Sequence, residues 1–240
     1  MLIGSHHGFV TAIIPCLNEQ DAVGPLVADV LAQGVDEVIV VDGGSTDNTV
    51  ACAQNAGARV MTETRRGYGR ACATGAAAAG GTVLVFLDGD GSDDPVFLHA
   101  IVGPVLDGTV DFCIGSRLRG MREPGSLSPQ QIVAGRLAGL LIRLAYGARY
   151  TDMAAFRAIS RDALAGLGMG EMTFGWNLEM QMRVAARHLR IREIPVNCRS
   201  RRGGVSKVSG NATAAIPAAW SIIRAFARLA LTLPQRAPPR

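Results

Sequence analysis

Runs of apolar, β-branched residues recur along the first half of the chain, at Val10 to Pro15, Glu37 to Val41, Arg59 to Thr62, Thr82 to Leu87 and Val110 to Gly115. Between them, apolar positions take helical spacing over Ala22 to Gln33, Thr46 to Ala56, Gly69 to Ala79 and Pro95 to Leu106. Short, almost wholly apolar runs alternating with helix-length segments predict an α/β fold, with a mostly parallel sheet and helices on both faces. Ligands of such sheets bind beyond the carboxyl ends of the strands. The residues that follow the runs are polar: Asn18-Glu19, Asp42-Gly43-Gly44-Ser45-Thr46-Asp47, Asp88-Gly89-Asp90 and Ser116-Arg117.

The second half is less regular. A Gly/Pro/Ser-rich link from Gly120 to Pro129 leads to a helix from Gln131 to Tyr146, a short segment Thr151 to Ile159 and a helix Trp176 to Arg187. Ile191 to Val196 then precedes a basic loop, Arg199 to Gly210. In the apolar stretch Asn211 to Leu233, Arg224 and Arg228 share one helical face while Ile216, Trp220, Ile223 and Ala227 share another. Two arginines and Pro217 suit it poorly to spanning a bilayer. Its amphipathicity fits a helix lying in a membrane interface or one covering the domain's own core. A chain of 240 residues therefore divides into a domain over 1–210, an amphipathic helix over 211–233 and a disordered tail over 234–240.

The formal net charge is +4, and arginine supplies all the positive charge except that of Lys207. Arg199, Arg201, Arg202 and Lys207 crowd one stretch, which points to a local anion site. Aromatic residues are too scarce for the basic, aromatic-laced surface of a nucleic-acid binder. Cys16, Cys52, Cys72, Cys113 and Cys198 are scattered without a CxxC pair, as buried free thiols of a reducing compartment are. With no signal-peptide pattern at the start, the expected location is cytoplasmic, including a peripheral position on the inner face of the cell membrane.

The strongest chemical signal is the apolar run that ends in Asp88-Gly89-Asp90. Two carboxylates delivered to a sheet edge can share one hard cation, Mg²⁺ or Mn²⁺, whose other positions go to water and phosphate oxygens. Such an ion offsets charge on a departing diphosphate. An EF-hand reading fails, because Asp93 and His99 stand where Gly and a bidentate acid are required. An aspartyl phosphatase would need a lysine, and Lys207 is distant in sequence. The glycines of Asp42 to Asp47 allow close approach of a ligand, and Ser45 or Thr46 can cap the next helix.

In order, Pro15-Cys-Leu-Asn-Glu19, Val40-Val-Asp42-Gly-Gly-Ser45-Thr-Asp47, Arg66-Gly67-Tyr68-Gly69, Leu87-Asp88-Gly-Asp90, Gly115-Ser-Arg117 and Arg202-Gly-Gly-Val-Ser206-Lys207 resemble the motifs of family 2 glycosyltransferases. The closest likeness is to the polyprenyl (dolichyl) phosphate mannose and glucose synthase branch, over roughly residues 10–210. The resemblance implies a GT-A fold and inverting transfer of a hexose from a nucleoside-diphosphate sugar to a lipid phosphate. It assigns Pro15, Asn18, Glu19 and Asp42 to the nucleotide pocket, Asp88 and Asp90 to metal and diphosphate, and Arg66 and Gly67 to the vicinity of the donor. Arg117, Arg136, Arg202, Ser206 and Lys207 would hold phosphate groups. Two departures stand out: Gly43 follows Asp42 where many relatives have a second acid, and Ser92 replaces an amide that helps some relatives hold the metal.

A phosphate acceptor is already an anion and needs positioning by arginine forks more than a base. A hydroxyl acceptor, soluble or glycolipid, would need a carboxylate base, for which Asp152 is the candidate; otherwise Asp152 caps or pairs with Arg157. From a different class, the DxDG aspartyl phosphatase and a non-catalytic nucleotide-binding module remain alternatives. The Gly-rich basic loop after Arg199 has the composition of a lid over a diphosphate, and Glu179 reads as a structural salt-bridge partner.

Overall fold

The computed structural model describes residues 8–202, 220, 223–231 and 233. Seven strands form one sheet: β1 (Val10–Cys16), β2 (Glu37–Asp42), β3 (Arg59–Thr62), β4 (Val83–Phe86), β5 (Phe112–Ser116), β6 (Arg157–Ser160) and β7 (Ile191–Pro195), in the order β3-β2-β1-β4-β6-β5-β7. All pairings are parallel except those of β6, which runs antiparallel between β4 and β5. The central strands are buried on both faces, which is why β1, β2 and β4 are nearly continuous apolar runs. The mostly parallel sheet matches expectation; the antiparallel insertion was read only as a short segment around residues 151–159.

Helices α1 (Gln20–Ala32), α2 (Thr49–Asn55) and α4 (Leu98–Leu106) cover one face through a core that includes Val23, Leu26, Ala53, Ile101 and Val105. On the other face lie α3 (Tyr68–Ala78), α5 (Pro129–Tyr146), α6 (Arg161–Leu167) and α7 (Trp176–Ala186), packed through Cys72, Ile142, Leu167, Trp176 and Met180. Residues 223–231 are helical and join this second layer: Ala225 and Leu229 are buried, and Arg228 reaches Glu171 at 2.8 Å. Part of the C-terminal amphipathic segment therefore does pack on the domain, while Trp220, Ile223 and Leu231 stay exposed.

Because β6 is antiparallel, the residues before it lie at the same sheet edge as the residues after β1, β4 and β5. Asp152 is brought there in this way. β1 and β4 are neighbours although two strands separate them in sequence, so the chain reverses its winding between them, the place where α/β sheets open a crevice.

Candidate active site

A cavity opens at that edge, lined by Pro15, Leu17 and Glu19 from the end of β1, Asp88 to Asp90 from β4, Arg117 from β5, and Asp152, Met153 and Ala155 before β6. Tyr68 of α3, Gln131 and Ala134 of α5, Asn177 and Leu178 of α7, with Phe174 and Arg201, complete it.

The spacing of the DxD motif has a steric cause. A Cβ on Gly89 would meet the Cys16 sulfur and stand 3.0 Å from the Pro15 carbonyl oxygen, so only glycine lets the loop after β4 lie against the end of β1. Gly89→Ala should destabilise the protein by about 1–3 kcal/mol as overpacking, measured by urea unfolding, and separate the two carboxylates. Gly67, at φ 142°, is similarly placed: a Cβ would run into the Met172 carbonyl.

Three carboxylates gather here. Burial raises the Asp88 carboxyl above its usual range, and neighbouring Asp90 adds to the rise. Burial and then Asp88 do the same to Asp93, whose Oδ2 accepts from the Asp88 backbone N–H at 3.0 Å. Asp90 is compensated differently: Oδ1 accepts from the Ser92 N–H at 2.9 Å, and Oδ2 meets the Arg201 guanidinium at 3.0 Å. The same guanidinium reaches Glu19 at 2.7 Å. A concentration of like charge at a half-buried loop is a fitting donor set for a hard cation. Among the described residues no three acidic, His or Cys side chains form a protein-only metal cage; Mg²⁺ is commonly held by one or two carboxylates that share the ion with substrate phosphates and water.

Arg117 and Asp152 form the second feature. Asp152 Oδ2 accepts from the Arg117 backbone N–H and Nε, both at 2.9 Å, and Oδ1 accepts from Arg117 Nη2 at 2.9 Å and the Met153 N–H at 2.7 Å. Burial alone would raise the Asp152 carboxyl, but the Arg117 guanidinium beside it outweighs that and holds it below the usual carboxylate range. The expected Arg157 partner is a correction: Arg157 is fully buried and donates to the Ala154 and Asn177 carbonyls, over the Phe112 ring. Burial lowers its pKa to about 10.

Of the residues named from sequence, Pro15, Glu19, Asp88, Asp90, Arg117 and Asp152 line the cavity together. Asn18, at φ 52°, ties the two first loops, accepting from the Thr46 N–H at 2.8 Å. Asp42 is buried, and its carboxylate accepts from the Gly44 and Ser45 N–H groups, so it shapes its own turn and is not part of the cavity wall. Arg66 and Arg136 are exposed and line no part of the cavity. Arg202 leans on Gly91 and reaches Asp29 at 3.6 Å; Ser206 and Lys207 lie outside the described residues. Glu179 holds Arg183 at 2.8 Å and the Gly170 and Glu171 N–H groups, a structural role. Sequence reading missed Tyr68, Asn177 and Arg201 as cavity residues; Arg201 carried a signal in its place in the basic cluster and Tyr68 in its place in the Arg66 to Gly69 motif, whereas Asn177 carried none.

Residues 11–168 match the family described as Glycosyl transferase family 2. An uncharacterized glycosyltransferase of Mycobacterium tuberculosis is 34% identical over 219 residues, covering 89% of this chain and 97% of that protein. Dolichyl-phosphate hexose transferase of Haloferax volcanii is 31% identical over 198 residues, covering 81% of this chain and 84% of that one. Among solved structures, glucosyl-3-phosphoglycerate synthase from Mycobacterium tuberculosis in complex with phosphoglyceric acid superposes with a TM-score of 0.78 at 22% identity, over 95% of this chain and 81% of that chain. The same enzyme in complex with Mn²⁺, UDP-glucose and phosphoglyceric acid gives 0.77. The ordered loops at the carboxyl edge, the GT-A sheet and these matches together place the chain in glycosyl transferase family 2.

Proposed function

We propose that this glycosyltransferase moves a hexose, with inversion, from a nucleoside-diphosphate sugar to a polyprenyl phosphate or similar lipid phosphate. Family membership sets aside the phosphatase and the non-catalytic binding module. The observation that carries the acceptor is the state of the cavity's carboxylates other than Asp88, which this reading gives to the metal. Asp152 has both oxygens engaged by Arg117 and Met153, and Glu19 and Asp90 are bonded to Arg201. A hydroxyl acceptor would need one of them as base, whereas a phosphate oxygen arrives already ionised. Asp152 in this reading is a positioning residue that fixes the Arg117 fork.

Asp88 and Asp90 would hold Mg²⁺ or Mn²⁺, which when bound offsets negative charge on the leaving nucleoside diphosphate. Support for that ion comes from the acidic cluster and from the Mn²⁺ and UDP-glucose carried by the structurally similar synthase. Arg117 orients the acceptor phosphate so that its oxygen attacks the anomeric carbon opposite the diphosphate. The new oxygen–carbon bond forms as the anomeric carbon–diphosphate bond breaks. Phe174, Leu178 and Met153 give the cavity its apolar lining. Incubation with Mn²⁺ and UDP-, GDP- or dTDP-hexoses, with polyprenyl phosphate or phosphoglycerate as acceptor, tests the reading. Metal-dependent labelling of the lipid is expected; labelling of phosphoglycerate alone, or thermal stabilisation by no donor, would overturn it.

A further inference from the structure

Helix α5 is apolar on two opposite faces. Gly135, Ala138, Gly139, Ile142 and Tyr146 are buried against the domain. On the other side Val133, Leu137, Leu140 and Leu144 are 64%, 50%, 52% and 72% exposed. At the helical repeat of 100° per residue these four fall within an arc of about 60°, an unbroken stripe facing away from the core. Helices of soluble domains ordinarily turn charge to water on that side, and an exposed apolar stripe of this length marks a contact surface.

The charge pattern selects the contact. Arg136 and Arg143, both exposed, border the stripe, and α5 contains no acidic residue. An apolar face whose charged flank is arginine fits the headgroup boundary of a bilayer with anionic lipids. Two copies of α5 packed antiparallel about a two-fold axis would instead set arginine against arginine. The same helix reaches the cavity: Gln131 and Ala134, in its first turns and off the stripe, line it, and Phe174 on its wall is 44% exposed.

We propose that the outer face of α5 docks on an anionic lipid bilayer and brings the mouth of the cavity to the membrane surface. The site deepens the lipid-phosphate reading and rests on it only for its purpose, since a docking surface can be read without any sugar nucleotide.

The test is flotation of the full chain with phosphatidylcholine vesicles, with and without phosphatidylglycerol. Wild type should float with the anionic vesicles. Leu137→Glu/Leu140→Glu should reduce partitioning about a hundredfold, and Arg143→Glu, which leaves the stripe intact, about tenfold. Both variants should keep the wild-type melting temperature and light-scattering mass. Variants that float as well as wild type, or equal binding to neutral vesicles, overturn the proposal. So does a variant that turns a dimer into a monomer, which assigns the stripe to a second copy, or a fall in melting temperature for the leucine variant alone, which assigns it to the chain's own cover. Transfer to a short-chain, water-soluble polyprenyl phosphate without vesicles separates the two readings. If it proceeds while flotation fails, only the docking surface falls; if flotation stands and transfer fails, only the acceptor does.

Discussion

Asp88→Asn should raise the melting temperature of the metal-free protein while lowering sugar transfer about a hundred- to a thousandfold, the cost of removing one electrostatic contact to developing charge. The opposite signs have one cause. Burial and the proximity of Asp90 make the ionised form of Asp88 unfavourable in the folded chain. A carboxyl whose folded pKa is raised withdraws stability as the pH climbs through that pKa, so at neutral pH an uncharged isostere relieves the fold. A gain on the order of 1 kcal/mol corresponds to about 2–4 °C for a domain of this size. Asp90→Asn should show no such gain, because it gives up a 3.0 Å ion pair with Arg201 and leaves that guanidinium to Glu19 alone. Differential scanning calorimetry in the presence of a chelator, paired with product formation at saturating Mn²⁺, reads both effects. A metal-free Asp88→Asn protein that melts below wild type, or one that retains full transfer, would remove Asp88 from the role assigned to it. The trade of stability for function is the usual mark of a site arranged for a ligand.

The strands from β1 to β5 were legible because parallel strands covered on both faces leave continuous apolar runs, and the polar loops after them fall at one edge by topology alone. β6 was not legible as a sheet member. It has four residues, begins with a fully buried arginine, and owes its place to antiparallel pairing with β4 and β5 across a long stretch of chain. That one omission explains the misassigned partner of Asp152. Arg157 is near in sequence, whereas Arg117 is 35 residues away and meets Asp152 only because β6 reverses direction beside β5. Asp42 shows the opposite limit. Its motif was readable, but whether a carboxylate faces a ligand or its own turn depends on two N–H groups one and two residues beyond the adjacent glycine, which carry no side-chain signal. Arg201 belonged to a readable basic cluster, yet its bridge between Glu19 and Asp90 joins loops 182 residues apart at their extremes.

Arg117→Ala should be the most damaging single change to the cavity, costing about 3–5 kcal/mol because it strands a buried charge. Asp152 is 3% exposed, and without the guanidinium only the backbone N–H groups of residue 117 and Met153 would face its oxygens. Arg117→Lys should recover part of the stability but not the transfer, since an ammonium cannot make the paired contacts that Nε and Nη2 make now. Arg117→Leu/Asp152→Asn should be more stable than Arg117→Ala, because removing both charges ends the desolvation cost that one alone incurs. The pH dependence gives an independent check. In wild type the Asp152 carboxyl lies below its ordinary value, so the pair's contribution is present above the unfolded aspartate pKa of about 3.9 and fades as the pH drops through the folded one. In Arg117→Ala the stranded carboxyl should titrate above its ordinary value, so the variant recovers stability on acidification. The gap between the two proteins, read from urea unfolding, should therefore be widest near neutrality and close below about pH 4. A gap that is constant with pH would mean that Arg117 contributes by packing its stem and not by its charge. In that case the arginine fork would have no claim on an acceptor phosphate.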